Sequence, residues 1–171
     1  MASSVLFLCT GNAARSVIAG AALAAKLPHL PVSTGGTLVI DGQPMSWRTR
    51  AALRAVGLDP PPHRSRQCTA ADLEHATLVV GLAPEHVAWV RREHPAAADR
   101  TGTLKRLARD LPAVPGALAE RVAALRLAGI GLEGWEEVVD PGGGDAEEFE
   151  ACAHEVVALV DRLAETLAAL A

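Results

Sequence analysis

Cys9 is followed, with five residues between, by Arg15 and then at once by Ser16. The thiolate is the reactive form of cysteine, and a neighbouring arginine favours it. The planar guanidinium of Arg15 also has the shape to hold two oxygens of a phosphate, and the Ser16 hydroxyl can donate a hydrogen bond to sulfur, stabilising the thiolate as nucleophile and as leaving group. Spacing alone is a weak signal, because a free cysteine at a strand end is more often a packed, inert small hydrophobe. The run between carries more. In "CTGNAARS", Gly11 and Asn12 tolerate a left-handed backbone within a stretch of small residues. A loop wound in that way aims successive backbone N–H groups at one point, and a helix opening at its end adds partial positive charge. Thr10, Gly11, Asn12, Ala13, Ala14, Arg15 and Ser16 are therefore expected to form a cradle for a tetrahedral oxyanion, with Cys9 at its floor.

Such a cradle needs a rigid strand before it and a helix after it, and the flanking residues supply both. "VLFLC" (5–9) is almost wholly apolar, as a strand covered on both faces would be, and "SVIAGAALAAKL" (16–27) has helical length and composition. A second short strand is expected near 32–34, a helix with Ser46 as N-cap, and a short helix capped by Thr69 with Asp72 three residues on. The third apolar strand falls at 77–83, a helix opens at Pro84, and "TGTLKRL" (101–107) reads as a fourth strand. Alternation of strand and helix implies parallel pairing with right-handed crossovers. Residues 112–134 form an Ala/Leu-rich helical stretch, "VVDPGGGD" must end in a loop, and 146–170 is an amphipathic helix apolar at Phe149, Val156, Val157, Val160, Leu163 and Leu167.

A chain of 171 residues suits one domain, burying about 70% of the surface of its unfolded form. Half of the residues are apolar but only 3% are aromatic, and the net charge of −4 argues against a nucleic-acid surface or an anionic membrane as partner. No run approaches the roughly 18 apolar residues of a spanning helix, and "MASSVLFLCTGN" lacks the basic leader of a secretion signal, so a cytoplasmic location is expected. Cys9, Cys68 and Cys152 have no paired spacing, which fits reduced thiols. Cys152 and His154 point to different faces of their helix, and no metal is assigned.

"VLFLCTGNAARS" resembles the phosphate-binding loop of the low-molecular-weight protein tyrosine phosphatase family, which also contains thiol-dependent arsenate reductases. The resemblance extends to "STGG" (33–36), to "HRSRQCT" (63–69), which is similar to a His-x-x-Arg-Gln-x-Thr segment, and to "VVDPGGGDAEEFE" (138–150), which looks like the family's acid loop. It implies an α/β fold, a four-stranded parallel sheet flanked by helices with the phosphate-binding loop after the first strand, as the pattern reading also gives. It further implies a cysteine-dependent phosphomonoesterase working through a phosphocysteine intermediate. In that reading Cys9 attacks phosphorus, Arg15 and the loop amides hold the oxygens, and Asp140 protonates the leaving group and then activates water. Asn12 steadies the loop through hydrogen bonds, with His63 as its partner. The family-level substrate is phosphotyrosyl protein, with a small phosphoester as the alternative and no cofactor.

Departures from the family pattern sharpen the expectations. Gly142 and Gly143 stand where many members carry aromatic residues after the Asp-Pro pair, Val39 stands at a rim position often held by Trp, and Ala14 replaces a second loop cysteine. The missing rings weaken the case for phosphotyrosine without touching the phosphate chemistry. Residues 112–134 are an insertion relative to compact members, either a lid beside the acid loop or an extra packed helix. Glu136 and Glu137 are expected on the charged surface. Two other readings stand beside the phosphatase: an arsenate reductase, for which no cysteine relay is evident, and a non-catalytic phosphoanion-binding module, although both nucleophile and acid are present.

Overall fold

The apolar run at 5–9 forms β1 (Val5–Cys9), buried along its whole length inside a sheet ordered β2, β1, β3, β4. The computed structural model, which describes residues 2–169, places β2 (Val32–Gly36), β3 (Leu78–Gly81) and β4 (Thr101–Thr103) so that every neighbouring pair is parallel. The register sets Cys9 beside Gly36 and Leu8 beside Gly81. Seven α-helices flank this sheet among the described residues: α1 (Arg15–Lys26), α2 (Trp47–Ala55), α3 (Ala70–His75), α4 (Pro84–Glu93), α5 (Leu104–Asp110), α6 (Leu118–Leu125) and α7 (Ala146–Ala168).

Burial on two faces explains why β1 does not alternate between apolar and polar residues. Val5, Phe7 and Cys9 enter the larger core with α1, α2, α5 and α7, whereas Leu6 and Leu8 meet Leu73 of α3 and Val90 of α4 in the smaller one. The chain thus leaves β1 toward one face and β3 toward the other. Diverging connections open a crevice at the C-terminal ends of those two strands, the place where open α/β sheets put their ligands.

Local chemistry sets the helix starts. Ser46 Oγ accepts the Thr49 N–H, Thr69 and Asp72 cap α3 reciprocally, Pro84 opens α4, and Asp145 and Glu148 exchange hydrogen bonds at the start of α7. Along α7, Phe149, Val156, Val160, Leu163 and Leu167 are buried against the larger core, while Val157 is half-buried; the last residue expected in this helix, 170, lies outside the described residues.

The segment 101–107 departs from its expected strand. Only Thr101–Thr103 is extended, because Thr103 Oγ1 accepts the Arg106 N–H at 3.2 Å and caps α5, whose Leu104, Leu107 and Ala108 bury one helical face. Residues 112–134 contain α6, stopped by Arg126 in the left-handed region at φ 50°, followed by a 3₁₀ turn at Leu127–Gly129.

Candidate active site

At the end of β1, Cys9 is 3% exposed, and residues 10–14 turn beneath the first turn of α1. Asn12 takes the left-handed conformation at φ 50° and is fully buried. Its Nδ2 donates to Ser16 Oγ and to Thr34 Oγ1, each at 3.0 Å, and its Oδ1 accepts the Arg66 N–H at 3.0 Å. Its carbonyl accepts from His63 Nε2 at 2.8 Å and from Ser65 Oγ at 2.9 Å. These bonds tie the loop to β2 and to the segment around 63–66. Gly36 completes the support: a Cβ there would stand 2.5 Å from the Thr10 carbonyl oxygen. Among the described residues, no protein acceptor takes the backbone N–H groups of residues 10–14, and Ala14 offers no side chain to cap α1. Unpaired donors and the positive end of a helix beside a thiol suit an oxyanion.

Ser16 Oγ lies 2.9 Å from Cys9 Sγ; because it accepts from Asn12, its own proton is free to donate to sulfur. Arg15 is 2% exposed, and its Nη1 donates to the Val138 carbonyl at 3.0 Å. Its Nη2 lies 3.3 Å from Asp140 Oδ2 and 3.9 Å from Glu85 Oε1. Asp140 Oδ1 accepts the Gly142 N–H at 2.9 Å, so the other carboxylate oxygen turns toward Arg15. Both carboxylates are solvent-exposed, unlike the arginine at the start of α1. Leu38 and Ile40 are exposed on the loop after β2, where the Leu38 N–H donates to the Thr10 carbonyl at 3.0 Å. The Thr49 hydroxyl donates to the Ala13 carbonyl at 3.2 Å, and Trp47, two residues earlier, is exposed.

No sequence motif marks His86, yet it is buried against the loop. Its Nδ1 accepts the Ala83 N–H at 3.0 Å, which leaves the proton of a neutral ring on Nε2 to donate to Thr10 Oγ1 at 3.1 Å; that hydroxyl reaches Glu85 Oε1 at 3.4 Å. Burial pushes the imidazole down to about 3, and the charge of Arg15 adds to the effect. The folded state therefore keeps His86 neutral where the unfolded chain takes up a proton near 6.5, and stability should fall as pH drops below 6.5 toward 3. The slope contributed is at most about 1.4 kcal/mol per pH unit. Asp72, Asp110 and Glu136, whose carboxyls are held low by their partners, act only below their ordinary values of 3.8 to 4.5. Urea midpoints between pH 4.5 and 6.5 should accordingly lose part of their slope in His86→Asn, and an unaltered slope would refute the assignment.

Glu136 corrects an expectation: it is completely buried rather than on the surface. Burial would raise its carboxyl, but hydrogen bonds from Arg106, the Glu133 N–H and Thr103 hold it below the usual range. Glu137 is exposed as expected. Cys68 and Cys152 are buried and reduced, and burial pushes both thiols up to about 12, which leaves them protonated at neutral pH. The functional neighbours that sequence reasoning missed, Glu85, His86 and Glu136, have no local motif; only the Pro84 helix start hinted that α4 would bring Glu85 and His86 to a strand end.

A thiol, an arginine and a carboxylate gathered at the C-terminal end of a parallel sheet define a cysteine-based phosphatase. Comparison with known proteins agrees. The family model described as low molecular weight phosphotyrosine protein phosphatase matches residues 4–113. A protein-arginine-phosphatase of Geobacillus stearothermophilus is 31% identical over 164 residues, covering 95% of both chains. A structure of the arginine phosphatase from that organism superposes with a TM-score of 0.79 at 30% identity, covering 98% of this chain and 94% of that one. The low molecular weight protein tyrosine phosphatase of T. tengcongensis superposes with a TM-score of 0.76 at 28% identity over 96% of this chain and 99% of its own. The chain belongs to the low molecular weight phosphotyrosine protein phosphatase family and is a hydrolase. Among the described residues, no helix is long and apolar enough to cross a membrane.

Proposed function

We propose that this chain dephosphorylates proteins through a phosphocysteine at Cys9, with phosphoarginine as the preferred phosphorylated residue. The Cys9 thiolate attacks phosphorus while Arg15 and the loop N–H groups hold the non-bridging oxygens. Asp140 gives its proton to the departing guanidine nitrogen as the P–N bond breaks, releasing an arginine guanidinium. The same carboxylate then takes a proton from water, which attacks the phosphocysteine and frees inorganic phosphate and the thiolate.

The observation carrying the substrate preference is the pair of exposed carboxylates, Glu85 and Asp140, within 4 Å of one guanidinium nitrogen of Arg15, at a mouth where Gly142 and Gly143 stand in place of rings. A phenyl ring gains about 0.5 to 1.5 kcal/mol from an aromatic wall, whereas a second guanidinium gains from carboxylates that can meet its planar donors. The relative covering 95% of this chain is named a protein-arginine-phosphatase, which supports the same reading. Phosphotyrosyl protein is the second reading, favoured by exposed Trp47 at the start of the helix whose Thr49 holds Ala13.

One peptide carrying either phosphoarginine or phosphotyrosine at the same position provides the test. The expected kcat/KM ratio favours phosphoarginine by about tenfold or more, and Glu85→Gln should reduce that ratio about tenfold, the size of one charge-assisted hydrogen bond. A ratio at or below unity in the wild type overturns the preference while leaving the thiol chemistry intact.

A further inference from the structure

Glu136 presents its carboxylate to Arg106 in a two-point pairing, with Nε 2.8 Å from Oε1 and Nη2 3.0 Å from Oε2. Thr103, at the end of β4, donates its hydroxyl to Glu136 Oε1 at 2.8 Å, and the Glu133 N–H donates to Oε2 at 2.7 Å. The Arg106 Nη2 also reaches the Glu133 carboxylate at 3.1 Å and the Gly131 carbonyl at 3.3 Å. Trp135 covers the outside, with the Arg106 and Arg109 guanidinium carbons 5.2 and 4.4 Å from its ring centre. Every hydrogen-bonding position of the Glu136 carboxylate is thus directed, and the pair joins the sheet, α5 and the segment leading out of the insertion.

From Glu136 the chain runs straight into the acid loop. Two residues on, the Val138 N–H donates to the Leu82 carbonyl at 2.9 Å and the Val138 carbonyl accepts from Arg15. Two further residues on stands Asp140. A buried ion pair is poor evidence of stabilisation, since apolar residues of similar volume often serve as well. What a fully directed pair does supply is position, because its planar fork admits one orientation.

We propose that the Arg106–Glu136 pair is a positioning device for the reaction: by fixing residue 136 against the end of β4, it sets where Asp140 stands relative to Cys9 and Arg15. This rests on Asp140 acting as the acid. It also gives residues 131–136 a role, that of delivering the acid loop from a fixed point.

The test is the dependence of kcat/KM, which reports the steps up to phosphoryl transfer to Cys9, on the leaving group across aryl phosphates, from 2,4-dinitrophenyl phosphate, whose departing oxygen needs no proton, to phenyl phosphate, which does. Glu136→Gln keeps the shape and the Thr103 contact and removes the charge. It is expected to slow phenyl phosphate about tenfold and the dinitrophenyl ester less than about twofold, the pattern of a misplaced acid. Arg106→Lys, which keeps the charge but loses the fork, should fall between wild type and Glu136→Gln and serves where the glutamine variant does not fold. A uniform fall across the series in a folded variant, or no fall, overturns the proposal. The control is Asp140→Asn. If it is steep while Glu136→Gln is flat, the positioning role alone fails; if Asp140→Asn is itself flat, the role of Asp140 fails and this inference with it.

Discussion

Cys9→Ser is expected to lower turnover of an aryl phosphate by at least about a thousandfold, the order of loss seen when a nucleophile is removed from a machinery that acts as a unit. Serine is nearly the same size, so the buried strand end and the Ser16 contact survive, and thermal unfolding should move little. What is lost is the sulfur nucleophile. The partner within hydrogen-bond distance of Cys9 Sγ is Ser16 Oγ at 2.9 Å, which donates and does not act as a base. The other thiols offer no rescue, since burial keeps Cys68 and Cys152 protonated. Steady-state assays alongside a melting curve decide the matter, and turnover persisting in a folded Cys9→Ser protein would move the nucleophile elsewhere.

Asp140→Asn is expected to reduce kcat/KM on phenyl phosphate by about 10² to 10⁴, the range for a lost general acid, with a much smaller effect on kcat/KM for 2,4-dinitrophenyl phosphate, while kcat falls for both because the same carboxylate serves the hydrolysis step. The substitution is geometrically mild: an asparagine Oδ1 can still accept the Gly142 N–H now bonded at 2.9 Å. It also removes a negative charge lying 3.3 Å from the Arg15 guanidinium. Phosphate then has one competitor fewer for that cation, so KM should stay level or fall while kcat drops. A rise in KM with kcat unchanged would reassign Asp140 to substrate binding.

The site's legibility in sequence followed the range of its interactions. The cradle is local: a buried strand, two residues tolerant of left-handed backbone, and a helix start lie within one short run, and Asn12 adopts φ 50° where that run implied it. A four-stranded parallel sheet was equally accessible, since apolar runs alternate with capped helices, whereas the strand order was not read from the sequence. The 101–107 segment misled because Leu104 to Leu107 can continue a strand or open a helix, and the choice fell to Thr103 acting as a helix cap. Asp140 was reached through family resemblance rather than local pattern. Glu136 illustrates the limit: beside Glu137 and before two valines it reads as solvated, and partners distant in the chain, Arg106 and Thr103, 30 and 33 residues earlier, offset the cost of its burial. His86 is of the same kind, its partner Thr10 being 76 residues away.

The hydrogen bond from Arg15 to the Val138 carbonyl spans 123 residues. During synthesis Cys9, residues 10–14 and Arg15 therefore emerge long before the loop that carries Asp140, the acid proposed for them. Closing so long a loop carries an entropic cost that the local contacts of the cradle do not. Activity in this chain is consequently a readout of finished assembly, sensitive to any change that loosens the last segment even when the sheet and its helices remain.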